Sequence, residues 1–155
     1  MTQFSFKSVG RTSVQKIEEV IETSRTPFGI KTPLRYGGQD GLFEMTYSLV
    51  DQVNDNLRNL LLTNWGERVA LYDFGANLRP LTTEYTTQDD FDNAAFDRIK
   101  AAVERWMPYV SLDSYESSVE RRPNLATGIV RLAITYDVNA LSVKGKKLEL
   151  SLYII

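Results

Sequence analysis

The chain is 155 residues long, with 18 Lys plus Arg against 20 Asp plus Glu, which is enough length for one sizeable core and a formal charge of −2 that offers no field to steer a polyanion. Nucleic acid and acidic membrane surfaces are therefore not expected partners. With no cysteine and no histidine, disulfides, thiolate nucleophiles, Ser-His catalysis and the commonest metal ligands are excluded. No apolar run approaches the roughly 20 residues of a membrane helix, and Met1 to Lys7 lacks the apolar core of a secretory signal.

Residues 1–42 read as an extended arm, because Ser, Thr, Gly and Pro recur and apolar residues are sparse. Within it, Val14, Ile17, Val20 and Ile21 predict a short helix over Thr12 to Ser24, too short to be stable without a partner surface. Phe28 to Leu34 is expected to be extended, since Pro33 disfavours helix before it, and Tyr36 to Gly41 is expected to bend. The main domain, residues 43–155, opens with a helix from about Tyr47 to Leu62, where Leu49, Val53, Leu57, Leu60 and Leu61 form an apolar stripe. A second helix is predicted from Gln88 to Trp106, with Phe91, Ala95, Ile99, Ala102, Val103 and Trp106 on one face. Thr87 or Asp89 is placed to cap it and Pro108 to stop it.

Beyond Pro108 the apolar period falls from helical to two. Val130, Leu132, Ile134, Tyr136 and Val138 alternate with polar residues, as do Leu148, Leu150, Leu152 and Ile154, so each run predicts a strand with one buried face. Between Val110 and Arg121 the parity changes, with Val110 and Leu112 before and Tyr115 and Val119 after, and a bulge at Asp113 to Tyr115 reconciles the two halves. Pro123-Asn124 and Lys144-Gly145-Lys146 read as connections. The predicted fold class is α+β: two main helices packed on a three-strand antiparallel meander.

Chemistry has few places to reside. Asp73-Phe74-Gly75 matches a kinase triplet in letters only, since the chain has neither the Gly-rich loop nor the catalytic loop that a kinase needs, and it reads as a turn around a buried Phe74. Gly37-Gly38-Gln39-Asp40-Gly41 lacks the Lys and Ser/Thr of a phosphate loop. Asp89, Asp90 and Asp92 lack the glycine and glutamate of a calcium loop and suit the first turn of a helix. No metal or cofactor is expected. A glycosidase needs only two carboxylates, for which Glu67, Asp73 and Glu84 are the nearest candidates, but nothing in the sequence raises the pKa of any of them. Glu67 and Arg68, adjacent in a turn, should each seek another partner. Arg68 is either a surface ion pair or a bidentate donor to a carboxylate across an interface.

Leu60-Leu61-Leu62-Thr63-Asn64-Trp65-Gly66-Glu67-Arg68-Val69, followed by Leu71-Tyr72-Asp73-Phe74-Gly75-Ala76-Asn77-Leu78, carries a pattern of helix, Leu-Thr-x-x-Gly-Glu-Arg turn and Asp-Phe-Gly turn. The pattern, with the long helix, proline break and strand meander in that order, resembles the baseplate wedge or sheath-initiator family of contractile T4-like phage tails, which is related to type VI secretion baseplate components. The resemblance runs from about Phe43 to Ile155. It implies a non-enzymatic virion subunit, assembled in the host cytoplasm, that contacts other baseplate wedge subunits, with the central hub or tail tube as further neighbours. It also implies that the chain templates the first ring of tail sheath protein by β-strand addition. The residues expected at partner contacts are Glu67, Arg68, Arg105, Pro108, Leu148, Leu150, Leu152, Tyr153 and Ile155. One departure is clear, for many members carry Glu-Pro-Arg where this chain has Met107-Pro108-Tyr109, so only Pro108 carries over, and Arg105 or Glu104 is the nearest charged substitute. The alternatives are a lysozyme-like wall hydrolase, and a tail adaptor or completion protein without sheath contact.

Overall fold

The computed structural model describes residues 26–38, 41–84, 87–121 and 128–154. The predicted helix at Thr12 to Ser24, the Pro123-Asn124 connection and Ile155 lie outside the described residues. Two compact units divide at Leu49/Val50. In the first, β1 (Gly29–Ile30) pairs antiparallel with β2 (Met45–Thr46), and Tyr36 bridges to Phe43 beyond them. Lys31 Nζ donates to Glu44 Oε1 at 2.7 Å across this ribbon, an exposed pair that holds the Glu44 carboxyl below its ordinary range.

The second unit is built from α1 (Leu49–Leu62), the short α2 (Leu81–Glu84), α3 (Gln88–Trp106) and the sheet β3 (Val110–Arg121), β4 (Gly128–Val138), β5 (Val143–Ile154) in the order β3-β4-β5. The α+β meander expected from the pattern is the observed fold. Helix α1 starts two residues later than its stripe suggested, and Leu49, counted in that stripe, is 41% exposed, while Val53, Leu57, Leu60 and Leu61 are buried. α3 has the predicted limits. Phe91, Ala95, Ile99, Ala102 and Val103 are buried along it, and the Met107 N–H closes it by donating to Val103 O at 2.8 Å. Pro108 then occupies a turn in which Val110 N donates to Met107 O at 2.9 Å, so the chain leaves the helix directly into β3. At the other end Thr87 sits at the N-cap position without bonding a backbone N–H, because its hydroxyl donates to the Asp90 carboxylate instead.

Strand β4 alternates as predicted, with Val130, Leu132, Ile134, Tyr136 and Val138 turned into the core. The β3 register shifts between Leu112 and Ser114, so Asp113 is the extra residue, which is the bulge the parity change required. A second bulge, without a signal in the alternation, lies between β4 and β5. Lys144-Gly145-Lys146 is not the connection it resembled but lies inside β5, where the register between Tyr136 and Val138 skips, Gly145 adopts φ +64° and its N–H donates to Asp137 Oδ1 at 2.7 Å. The actual connection is the 3-10 turn Asn139–Leu141 closed by Ser142 at φ +54°.

The helices cover one face of the sheet. Val53, Leu57, Leu60, Leu61, Phe91, Ile99 and Val103 share a single core with the inward residues of β3, β4 and β5, and Tyr136, fully buried, donates its hydroxyl to Asn54 Oδ1 at 3.1 Å across the layers. Burial and the Asp51 carboxylate raise the Tyr136 pKa, which keeps that hydroxyl a donor. Tyr115 on β3 is raised likewise, first by burial and then by Asp92, whose Oδ1 accepts its hydroxyl at 3.3 Å. The opposite face presents Arg131, Glu149, Ser151 and Tyr153 to solvent.

Candidate functional site

The block from Leu60 to Leu78 folds as two turns zipped to each other. Ala76 N donates to Leu60 O at 3.1 Å, Asn77 N to Thr63 O at 3.3 Å and Gly66 N to Tyr72 O at 2.7 Å, so the chain leaving α1 is met by the chain approaching α2. The close approach demands glycine at 75. Its φ is +112°, and a Cβ there would lie 2.1 Å from the Thr63 carbonyl oxygen. Trp65 Nε1 donates to the Gly75 carbonyl at 3.0 Å and fixes the same crossing from the other side.

Glu67 and Arg68 do seek separate partners. The Glu67 carboxylate reaches back three residues, accepting from Asn64 N at 2.7 Å and from Asn64 Nδ2 at 2.8 Å. The bond has the reach-back geometry of a capping box, made here in a turn rather than at a helix start, at the spacing Asn64-x-x-Glu67. The Asn64 side chain and then its backbone N–H lower the Glu67 pKa below the ordinary value of 4.5. Arg68 places its guanidinium 4.3 Å from the centre of the Phe74 ring, and among the described residues it forms no ion pair. Phe74 meets Trp106 edge to face at 5.2 Å, Arg105 lies 5.0 Å over Trp106, and Arg105 pairs with Asp73. Phe74, expected to be buried, is partly so. These contacts tie the Asp-Phe-Gly turn to the end of α3 and border an open groove of about 610 Å³ lined by Asn59, Leu60, Arg68, Phe74, Met107 and Tyr109 among others.

The hydrolase candidates do not assemble into acid and base. Glu67 is held as a carboxylate by two donors, Asp73 is paired with Arg105, and Glu84 lies 3.6 Å from Arg98. A general acid needs its pKa raised, whereas that of Glu67 is lowered. Among the described residues no group of three or more acidic side chains could hold a metal ion, and no helix is long and apolar enough to cross a membrane.

The other expected contact residues fall in a second place. Leu148, Leu150 and Leu152 are buried under the helices, so the side of β5 they occupy faces inward. Tyr153 is 63% exposed on the opposite face. β5 pairs only with β4 among the described residues, and the register from Gly128↔Ile154 to Tyr136↔Lys146 is unbroken. Residues missed by sequence reasoning are Asn64, Trp65, Asn77, Arg79 and Arg98. Arg98 Nη1 donates to Asn77 O at 2.6 Å and its guanidinium lies 5.6 Å from the Trp65 ring, so one side chain of α3 supports both turns. No local pattern announces a contact between residues 21 positions apart.

Solved structures with a similar fold include a chain of the anti-feeding prophage baseplate, seen by cryo-electron microscopy, with 19% identity and a TM-score of 0.58 over 77% of this chain and 90% of that one. A Geobacter sulfurreducens crystal structure described as a "putative tail lysozyme" has 21% identity and a TM-score of 0.49, covering 69% and 90%. A chain of the type VI secretion baseplate complex has 14% identity and a TM-score of 0.46, covering 69% and 94%. No curated protein sequence matches significantly. The family model for baseplate wedge protein gp25 matches residues 47–142, which takes in both turns, α3 and most of the meander, and the chain therefore belongs to that family of structural baseplate components.

Proposed function

We propose that the protein is a wedge subunit of a contractile phage tail baseplate that contacts other wedge proteins and templates the first sheath ring by accepting a strand of the tail sheath protein along β5. One observation carries the choice of strand: beyond its bulge β5 keeps a regular ladder with β4 up to Ile154 and has no second strand beside it among the described residues. Unpaired N–H and C=O groups along such an edge are a ready template for strand addition. The β3 edge is less suited. Asp113 bulges within it, and Gln88 Nε2 of α3 lies 3.3 Å from Ser117 Oγ and 3.5 Å from its carbonyl oxygen, occupying an acceptor an added strand would use.

In this reading the groove beside Arg68, Phe74 and Tyr109, with Arg105 and Pro108 at its α3 end, faces other wedge subunits, residues 43–155 form the wedge domain, and residues 1–42 act as an arm on neighbouring subunits. The central hub or tail tube lies within reach of the same assembly. Baseplates are put together in the host cytoplasm before release. The test is sheath growth on baseplates assembled without this chain. Purified sheath protein should fail to polymerise on them and recover when the chain is added back; sheaths of ordinary length on the depleted baseplates would refute templating.

A further inference from the structure

Two depressions lie beside the C-terminal end of β5, of about 180 and 400 Å³, and they share Asn64, Arg79 and Tyr153. The smaller is lined by Ser151, Leu152 and Tyr153 of the strand itself, and the larger by Trp65 and Pro80 of the zipped turns. Both include Tyr153 of β5 in their lining. Their apolar content is accessible, since Trp65 is 56% and Tyr153 63% exposed.

Arg79 is the charge they share. Its backbone is clamped on both sides, because its N–H donates to Asn64 Oδ1 at 3.3 Å and its carbonyl accepts from Thr82 Oγ1 at 2.8 Å. Its guanidinium forms no ion pair among the described residues. Glu67 is the carboxylate that lines the smaller depression with it, but that group is engaged by both N–H donors of Asn64, and the Arg79 charge is the weakest of the influences on its pKa. A cation on a fixed base, beside an aromatic-walled cleft, with its donors in no ion pair among the described residues, is complementary to an anionic side chain from outside.

We propose that this cleft is the selectivity pocket for the added strand: the sheath segment that pairs with β5 carries an Asp or Glu side chain that binds Arg79 and a neighbouring apolar side chain that packs against Trp65 and Tyr153. The inference rests on the strand-addition reading above. Backbone pairing along β5 would supply sequence-independent affinity, and the pocket would decide which segment is accepted and in which register, because a slip of one residue turns the carboxylate to the other face.

The experiment uses depleted baseplates rebuilt with wild-type chain, Arg79→Gln or Arg79→Glu, with purified sheath protein as the probe and thermal melting of each variant as the folding control. Arg79 is exposed, so both variants should melt with the wild type. The rate of sheath initiation is expected to fall about tenfold with Arg79→Gln and further with Arg79→Glu, to lose part of its salt dependence in Arg79→Gln, and to recover in Arg79→Glu when the matching sheath carboxylate is changed to Lys. Wild-type initiation by Arg79→Glu would overturn the pocket and leave strand addition standing. Wild-type growth on the unsupplemented baseplates would remove strand addition and the pocket together. Self-association of the purified wild type that Arg79→Glu abolishes, with initiation unchanged, would assign the cleft to a second copy and overturn the proposal.

Discussion

The zipped turns and the β5 edge lie at opposite extremes of internal satisfaction. Between Thr63 and Asn77 most polar groups named above have a partner in the same chain: Glu67 with Asn64, Trp65 with Gly75, Asn77 with Arg98, Asp73 with Arg105, while the Arg79 guanidinium just beyond them has no ion pair among the described residues. Among the described residues β5 has one neighbouring strand, an inward row of leucines and an outward Tyr153 that is 63% exposed. The block most legible as a motif is thus mainly a device for holding shape. The strand proposed to receive a partner is an ordinary alternating strand with no motif at all. Selection for a sharp local geometry leaves short, specific letters in the sequence, while an interaction made through backbone edges leaves almost none.

Stability measurements can break this contrast. Gly75→Ala should be the most damaging change, costing about 3 kcal/mol by combining a positive φ with a Cβ overlapping the Thr63 carbonyl, and chemical denaturation would measure it; a loss under about 0.5 kcal/mol would mean the turns are not packed as described. Trp65→Phe removes the donor to the Gly75 carbonyl and should cost about 1 kcal/mol in the same assay. Asp73→Asn breaks an exposed ion pair and should cost less than about 1 kcal/mol, vanishing in high salt. Tyr153→Ser, on the strand side of the comparison, should move the unfolding midpoint by less than about 0.5 kcal/mol while reducing sheath initiation. A large stability loss there would show that the edge serves the fold as much as a partner.

The smallest effect concerns acid. Because the folded-state pKa of Glu67 is lowered below the 4.5 of the unfolded chain, the unfolded chain binds the proton more readily. The stabilisation from its bonds to Asn64 is present above that value and is lost as pH falls through the folded pKa. Glu67→Gln, which mimics the protonated carboxyl, should therefore lower the neutral midpoint slightly and flatten the acid limb below about pH 4.5, so that variant and wild type converge in acid. An unchanged acid limb would mean that the carboxylate is not held by Asn64 in solution.

Sequence by itself determined the elements whose signal is periodic: α1, α3, the three strands, their order and the Asp113 bulge, because burial on one face imposes spacings of 3.6 or 2 residues wherever the chain is regular. It also determined the family, through the ordered turn motifs. The short helix α2 leaves no trace in the sequence because four residues carry no period, and the Gly145 bulge reads as a turn because glycine at positive φ serves both. Only the tertiary structure decided that Glu67 answers to Asn64, that Arg98 braces both turns, and that Arg79 and Tyr153 share a cleft. The first is a local pair left open by rival partners, and the others join residues 21 to 74 positions apart, whose meeting depends on where the helices settle on the sheet rather than on any spacing along the chain.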